Sequence, residues 1–366
     1  MSKNYISLGL MSGTSGDGVD ASIIRSDGQS DYEVISDKYF EYSSDIFIEF
    51  HKLRDKINNS QDLKKFSKNI VNLEREITIF HAGVVDQMVK NIDIDIIGFH
   101  GQTIYHNAQE KISKQLGNGE LLSQLVKKDV IYNFRKNDLM NGGQGAPLAP
   151  IFHKLLSNKL KLNSAIFINI GGIVNETVIS KNNNLSATDL GPGMCLIDQW
   201  IRSKTKKKFD INGQIAKAGK INEIILEQAL ENFSDVNKII YNKKKQIQSF
   251  DIKDFDLSFV RGLSLEDGAA TLIEYSVKSM LPSLSQAKEN KIILCGGGRK
   301  NKFLLERLKA NKIELKLIDD YGINGDFIES QAFAFLAIRS FLKLPISFPE
   351  TTGCLIPCSG GEYIKN

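Results

Sequence analysis

Cysteine, histidine and long apolar runs are all scarce in this chain of 366 residues. Its four cysteines are Cys195, Cys295, Cys354 and Cys358. Only the last two are close, and their spacing fits neither a zinc site nor a redox pair, so reduced thiols in a cytoplasmic protein are expected. The five histidines are scattered and form no HExxH pattern, which argues against a structural or catalytic transition metal. No window approaches the roughly 18 apolar residues of a spanning helix. The N-terminus shows no positive segment followed by a long apolar core, so neither a membrane span nor a signal peptide is expected.

Charge of one sign is also lacking. The 47 basic and 43 acidic side chains leave a net charge of +4, too little to imply nucleic acid. The basic runs Lys204-Thr205-Lys206-Lys207-Lys208 and Lys243-Lys244-Lys245 have no interleaved aromatic rings to stack bases, and read as solvated surface. The usual nucleotide signatures are missing too. No GxGxxG follows a strand. Gly213 to Lys220 has the wrong spacing for a P-loop, with Ile221 where Ser or Thr is required.

What is present is an ordinary globular composition, 42% hydrophobic and 25% charged, and a length that suggests two domains. Ile6 to Met11, Val19 to Ile24 and Tyr32 to Phe40 read as a strand meander. Apolar residues from Leu63 to Met88 recur every three or four positions, as in a helix, and Ile94 to Phe99 reads as a strand. A related order returns with strands at Ala165 to Ile170, Val174 to Ile179 and Leu185 to Thr188, a helix through Cys195 to Ile201, and a strand at Lys291 to Cys295. Ser330 to Leu342 reads as a helix. Each half opens with strand, glycine loop, strand. That repetition predicts two related α/β domains, each aiming a hairpin tip at a shared cleft.

The first loop is the most informative. Glycines at a strand end free backbone N–H groups and let a ligand approach, and successive N–H groups form a concave anion site. Ser12, Thr14 and Ser15 add hydroxyls. Asp17 and Asp20 would repel a phosphate unless a cation lies between, which a hydrated Mg²⁺ satisfies. The alternative is a plain hairpin turn, but ten small and polar residues exceed what a turn needs. Gly171-Gly172 and Gly296-Gly297-Gly298 are weak signals singly and stronger together. Asp189, in DLGPG, is held by a stiff turn. It is either a general base or a helix cap.

Ten segments then stand in order: Met11 to Asp20 (MSGTSGDGVD), Gly98 to Thr103 (GFHGQT), Leu116 to Gly119 (LGNG), Asn133 to Asp138 (NFRKND), Gly142 to His153 (GGQGAPLAPIFH), Asn169 to Asn175 (NIGGIVN), Asp189 to Gly193 (DLGPG), Asp210 to Gly219 (DINGQIAKAG), Cys295 to Asn301 (CGGGRKN) and Tyr321 to Ala337 (YGINGDFIESQAFAFLA). Over nearly the whole chain, this set resembles the anhydro-N-acetylmuramic acid kinase family, of the sugar kinase, actin and Hsp70-like ATPase group. The resemblance implies an α/β fold of two ribonuclease-H-like domains around a central ATP and substrate cleft. One would span residues 1–130, completed by a C-terminal helix at about 330–366, and the other residues 131–329. It implies a cytoplasmic enzyme of cell-wall recycling that uses ATP and Mg²⁺ to open the anhydro bridge of its sugar, giving the 6-phosphate. Its partner would be a small amino sugar, with no nucleic acid or membrane, and a homodimer is compatible with it.

The resemblance makes Asp189 the catalytic base. It assigns ATP phosphates to Gly13, Thr14, Ser15, Gly16, Asp17, Gly18, Val19 and Asp20, with Gly171, Gly172, Gly296, Gly297 and Gly298 completing the nucleotide site and Asp17 or Asp20 holding Mg²⁺ through water. The chain departs from the family at Gly16, Leu190, Met194 and Asn118, where Leu, Thr, Asn and Asp are usual, and after Gly353. The substrate's lactyl carboxylate suits a buried arginine. Arg135 is the candidate, and a salt bridge to Asp138 is its alternative role. Glu329 would take sugar hydroxyl or amide groups, or else favour a helix start. His100 and Gln102 would line the sugar pocket, or His100 is a satisfied core histidine. Two other activities stay open at this stage: a kinase for a related free amino sugar, and a nucleotide-binding sensor of wall fragments.

Overall fold

The computed structural model describes residues 3–244, 249–285 and 291–366, the side chains of 234–244 excepted. The run Lys243 to Lys245 therefore lies outside the described side chains. The chain divides into two units, Met1–Lys161 with Asp326–Asn366, and Leu162–Gly325.

The first unit is built on strands β1 (Tyr5–Ser12), β2 (Gly18–Ser26), β3 (Tyr32–Glu41), β4 (Ile96–Asn107), β5 (Ile112–Leu116) and β6 (Val130–Tyr132). β3, β2 and β1 form an antiparallel meander, β4 and β6 continue it in parallel, β5 pairs with β4, and a last strand, Glu362–Ile364, closes the edge against β6. Leu8, Leu10, Ile23, Ile97 and Phe99 are buried at 0–1% exposure, each contributing about 1.5–3 kcal/mol relative to exposure. The helical period is interrupted at Phe66. Asn59 caps a short helix, Ser60–Lys65, through a capping box with Asp62, and a second helix runs Ser67–Met88. The helix Ile328–Phe341 lies directly on the sheet. A Cβ at Gly9 would sit 2.0 Å from the Ser330 carbonyl and one at Gly98 2.4 Å from that of Phe333, so only glycine admits this approach.

In the second unit, β7 (Ala165–Ile170), β8 (Ile173–Ile179), β9 (Leu185–Pro192), β10 (Lys291–Cys295) and β11 (Leu315–Leu317) make one sheet. Its order, β9-β8-β7-β10-β11, repeats β3-β2-β1-β4-β6 with the same strand directions. This is the ribonuclease-H-like arrangement expected. The helix Leu265–Leu284, capped by Ser264, covers it. Trp200 wedges against its start, with the indole N–H donating to the Leu265 carbonyl at 2.9 Å, and a Cβ at Gly268 would fall 2.6 Å from the ring.

Several expectations need correction. The loop between β1 and β2 is only Gly13–Asp17, because Met11 pairs with Asp20 across the hairpin. The argument from loop length therefore fails. β4 runs past Phe99, and His100 to Thr103 lie within it, since the chain beyond Phe99 pairs with β5. Asp189 to Pro192 belong to β9 rather than to a free turn. Residues 131–161 fall in the first unit. β6 is hydrogen-bonded there, and the Phe152 ring packs edge-on against Tyr32 at 5.2 Å and near Phe335 at 5.7 Å. The segment after Phe341 is not helix throughout; it adds the short helix Pro349–Thr352 and the edge strand.

Candidate active site

Within the first unit, Gly13 to Asp17 make a tight polar tip. Gly16 has φ +64°, and its N–H donates to the Gly13 carbonyl at 3.1 Å. A Cβ at Gly16 would lie 2.3 Å from the Phe50 ring. Phe50 thus fills the volume that the family's usual leucine would claim. Thr14 and Ser15 are exposed, and the Ser15 hydroxyl donates to the Asp17 carboxylate at 2.6 Å. Three side chains fix the tip. The Gln102 amide donates to the Gly13 carbonyl at 2.8 Å, Arg54 donates to the Thr14 carbonyl at 3.0 Å, and Ser12 hydrogen-bonds Tyr42 at 2.8 Å. The other Gln102 amide atom, Oε1, is buried without a partner. Gly18, Val19 and Asp20 are in β2, and Val19 is core at 0% exposure, so its side chain offers a ligand nothing.

The carboxylates of this tip suit Mg²⁺ only in hydrated form. Burial first, then the charges of Asp17, Glu41 and Asp20, raise the Tyr39 phenol well above its usual range, so these acids share one electrostatic neighbourhood. Among the described residues no three His, Cys, Asp or Glu side chains form a metal cage. One or two carboxylates suit hydrated Mg²⁺ on a phosphate.

His100 and Arg135 form a second cluster in this unit. His100 is buried, with Nδ1 2.8 Å from the Gly101 carbonyl and Nε2 receiving Arg135 Nε at 3.2 Å and Nη2 at 2.9 Å. Burial, then the Arg135 charge, holds the imidazole well below its ordinary pKa. It is therefore neutral, with the proton on Nδ1. Arg135 Nη1 donates to the Gly145 carbonyl at 2.7 Å. No ion pair joins Arg135 to Asp138. That carboxylate accepts from the Gly145 N–H at 2.6 Å and the Thr352 hydroxyl at 2.5 Å. Glu329 sits in the first turn of Ile328–Phe341, where the helix dipole favours a carboxylate.

In the second unit three glycine motifs converge at the C-terminal ends of β7 and β10. The N–H groups of Gly193, Met194 and Cys195 donate to the Gly171 and Gly172 carbonyls at 2.9–3.2 Å. The hairpin tip thereby caps the helix Cys195–Lys204. A Cβ at Gly296 or Gly298 would collide with Asn169 or Ile170, which places that loop on the end of β7. Gly297 is exposed with open space around it. Asp189 is 7% exposed, and Oδ2 accepts the Phe250 N–H at 2.8 Å. The strand end beyond it is pinned from the helix Leu265–Leu284: Ser276 donates to the Gly193 carbonyl at 2.9 Å, and a Cβ at Gly191 would meet Ser279 at 2.8 Å. Leu190 and Met194 pack against the unit's apolar core, so these two departures are absorbed as packing. Asn118 caps the helix Gly119–Val126, accepting from Leu121 at 2.9 Å, a role aspartate fills equally.

Sequence reasoning missed Phe250, whose contribution is a backbone N–H and leaves no mark. It also missed the contacts of Asp138 with Gly145 and Thr352.

The family model described as anhydro-N-acetylmuramic acid kinase matches residues 4–365. A protein of that name from Pelagibacter ubique is 57% identical over 380 residues, covering 100% of both chains. One from Agrobacterium fabrum is 36% identical over 373 residues, covering 98% of each. Among solved structures, component A of the (R)-2-hydroxyglutaryl-CoA dehydratase of Acidaminococcus fermentans aligns over 93% of this chain and 100% of its own, at 13% identity and a TM-score of 0.44. The match along the full sequence, with the motifs in the positions described, establishes that the chain belongs to the anhydro-N-acetylmuramic acid kinase family.

Proposed function

We propose that this enzyme opens 1,6-anhydro-N-acetylmuramic acid and phosphorylates it from ATP, giving N-acetylmuramic acid 6-phosphate and ADP in the recycling of cell-wall material. The observation that carries the reading is the Asp189 carboxylate. It is nearly buried, held by the Phe250 N–H and carried on a strand end tied to the Gly171-Gly172 tip. A carboxylate so restrained suits a general base.

Asp189 takes a proton from water as the water oxygen bonds to C1. The C1–O6 bond breaks, O6 bonds to the γ-phosphorus, and ADP leaves. Glycosidases supply a second carboxyl to protonate the departing oxygen; here phosphorus captures it, so one carboxylate suffices. The exposed Thr14 and Ser15, with Gly13 and the open backbone at Gly297, serve the phosphates as donors. Mg²⁺, when held through water by Asp17 or Asp20, would neutralise phosphate charge. Arg135 takes the lactyl carboxylate, kept in place by neutral His100. Glu329 completes the sugar contacts, and Gln102 acts from behind the Gly13 carbonyl.

The test is ADP release by the purified chain with each sugar in turn. Release matching consumption of the anhydrosugar, and none with free N-acetylmuramic acid, is expected. Turnover with the free sugar alone would make it an ordinary sugar kinase, and turnover with neither would reject an enzyme of this kind.

A further inference from the structure

Asp138 is a buried carboxylate, 1% exposed, that no step of the reaction uses. It lies in the short helix Lys136–Met140 and joins two separate stretches of the first unit. One oxygen accepts the hydroxyl of Thr352, itself fully buried, at 2.5 Å; the other accepts the Gly145 N–H at 2.6 Å. The main chain repeats the link, since the Gln144 N–H donates to the Thr352 carbonyl at 2.8 Å and the Gly143 N–H to the Asp138 carbonyl at 2.9 Å. A Cβ at Gly143 would stand 2.2 Å from the Asp138 carboxylate, so the glycine lets the turn close on it. Gly145 has φ +73°, and the carbonyl of this one residue receives Arg135 Nη1 at 2.7 Å.

We propose that Asp138, braced by Thr352, is a positioning residue for substrate selection. It fixes the Gly143 to Gly145 turn, and through the Gly145 carbonyl it sets where the Arg135 guanidinium points, and hence how well the protein tells a sugar bearing a lactyl carboxylate from one without it. The inference rests on the reading that Arg135 takes that carboxylate. The physical warrant is the rigidity of the linkage. Arg135 is held on one side by Gly145 and on the other by His100, and bidentate recognition of a carboxylate tolerates little misplacement. Removing both acceptors at Asp138 leaves a buried N–H unpaired and frees the turn to shift.

The experiment compares binding of 1,6-anhydro-N-acetylmuramic acid with that of 1,6-anhydro-N-acetylglucosamine, which lacks the lactyl group, by calorimetry without ATP. Asp138→Ala is expected to weaken the first by about tenfold and leave the second unchanged, compressing the ratio of affinities. Asp138→Asn should restore most of the ratio, because its amide oxygen still accepts from Gly145 while its N–H donates to Thr352. Thr352→Val should compress it in the same direction, and provides the test if Asp138→Ala fails to fold. Equal weakening of both sugars, or an unchanged ratio in a folded variant, would overturn the proposal. Arg135→Gln separates the two readings. If it compresses the ratio and Asp138→Ala does not, only the positioning role fails. If Arg135→Gln leaves the ratio unchanged, the carboxylate reading fails and the positioning role with it.

Discussion

At the scale of single residues, a restrained carboxylate at Asp189 was legible, although the stiff turn expected there is the end of β9. What holds the carboxylate was not. The Phe250 N–H lies 61 positions away, and any residue supplies an N–H. For Arg135 a salt bridge to Asp138 was the alternative role, and Asp138 instead accepts from Gly145 and Thr352. Val19 reads as part of a phosphate motif, yet its side chain is core. Asp189→Asn should fold normally, since the amide oxygen still accepts from Phe250. Nucleotide affinity should persist while turnover falls by about 10³- to 10⁴-fold, toward the upper end for loss of acid–base assistance. Steady-state kinetics with a parallel nucleotide titration checks this, and turnover within tenfold of wild type would remove Asp189 from the base role.

Elements were read with uneven success for physical reasons. Ala165–Ile170 and Lys291–Cys295 have the predicted bounds, because each is a short apolar run ended by glycine. β4 was cut short at Phe99, since His-Gly-Gln-Thr looks like a loop when its pairing partner, β5, is out of view. Tertiary pairing overrode local composition there. The hairpin tip was over-extended for a related reason: Ser12 and Asp20 are polar yet remain in the sheet, Ser12 paired with Gln102 of β4 and Asp20 with Met11 and Tyr39. The helix Ile328–Phe341 was found from its small and aromatic residues, but its seat was not. Gly9 and Gly98 make that seat by omission of a side chain, and a strand glycine in sequence carries several other meanings.

For the molecule as a whole, the α/β class and the repeated strand order were legible from the recurrence of strand, glycine loop and strand. The boundary at Lys161 was not, because the pairing of β6 with β4, which keeps the residues after 130 in the first unit, leaves no mark in the sequence. Histidine is distributed unevenly: all five precede residue 162. Burial lowers His81 and His106 to about 4 and His153 to about 3, and holds His100 well below its usual value. Each folded pKa lies below the unfolded value of about 6.5, so the unfolded chain binds more protons between the two. The stability is present above about pH 6.5 and is lost as pH falls toward 4. Trp200, the single tryptophan, lies in the other unit. Urea unfolding at pH 5.5 should show circular dichroism falling earlier than at pH 7.5, with Trp200 fluorescence lagging. Equal shifts in both signals, or none, would contradict this.

The central claim is that water attacks carbon while the sugar's own oxygen attacks phosphorus, and turnover in ¹⁸O-labelled water tests it directly. Product caught before anomeric exchange should carry the label on C1 of the sugar 6-phosphate, with none in the phosphoryl group, and should be the anomer formed opposite the bridge. Label in phosphate, or an unlabelled C1 after allowing for exchange, would contradict the account.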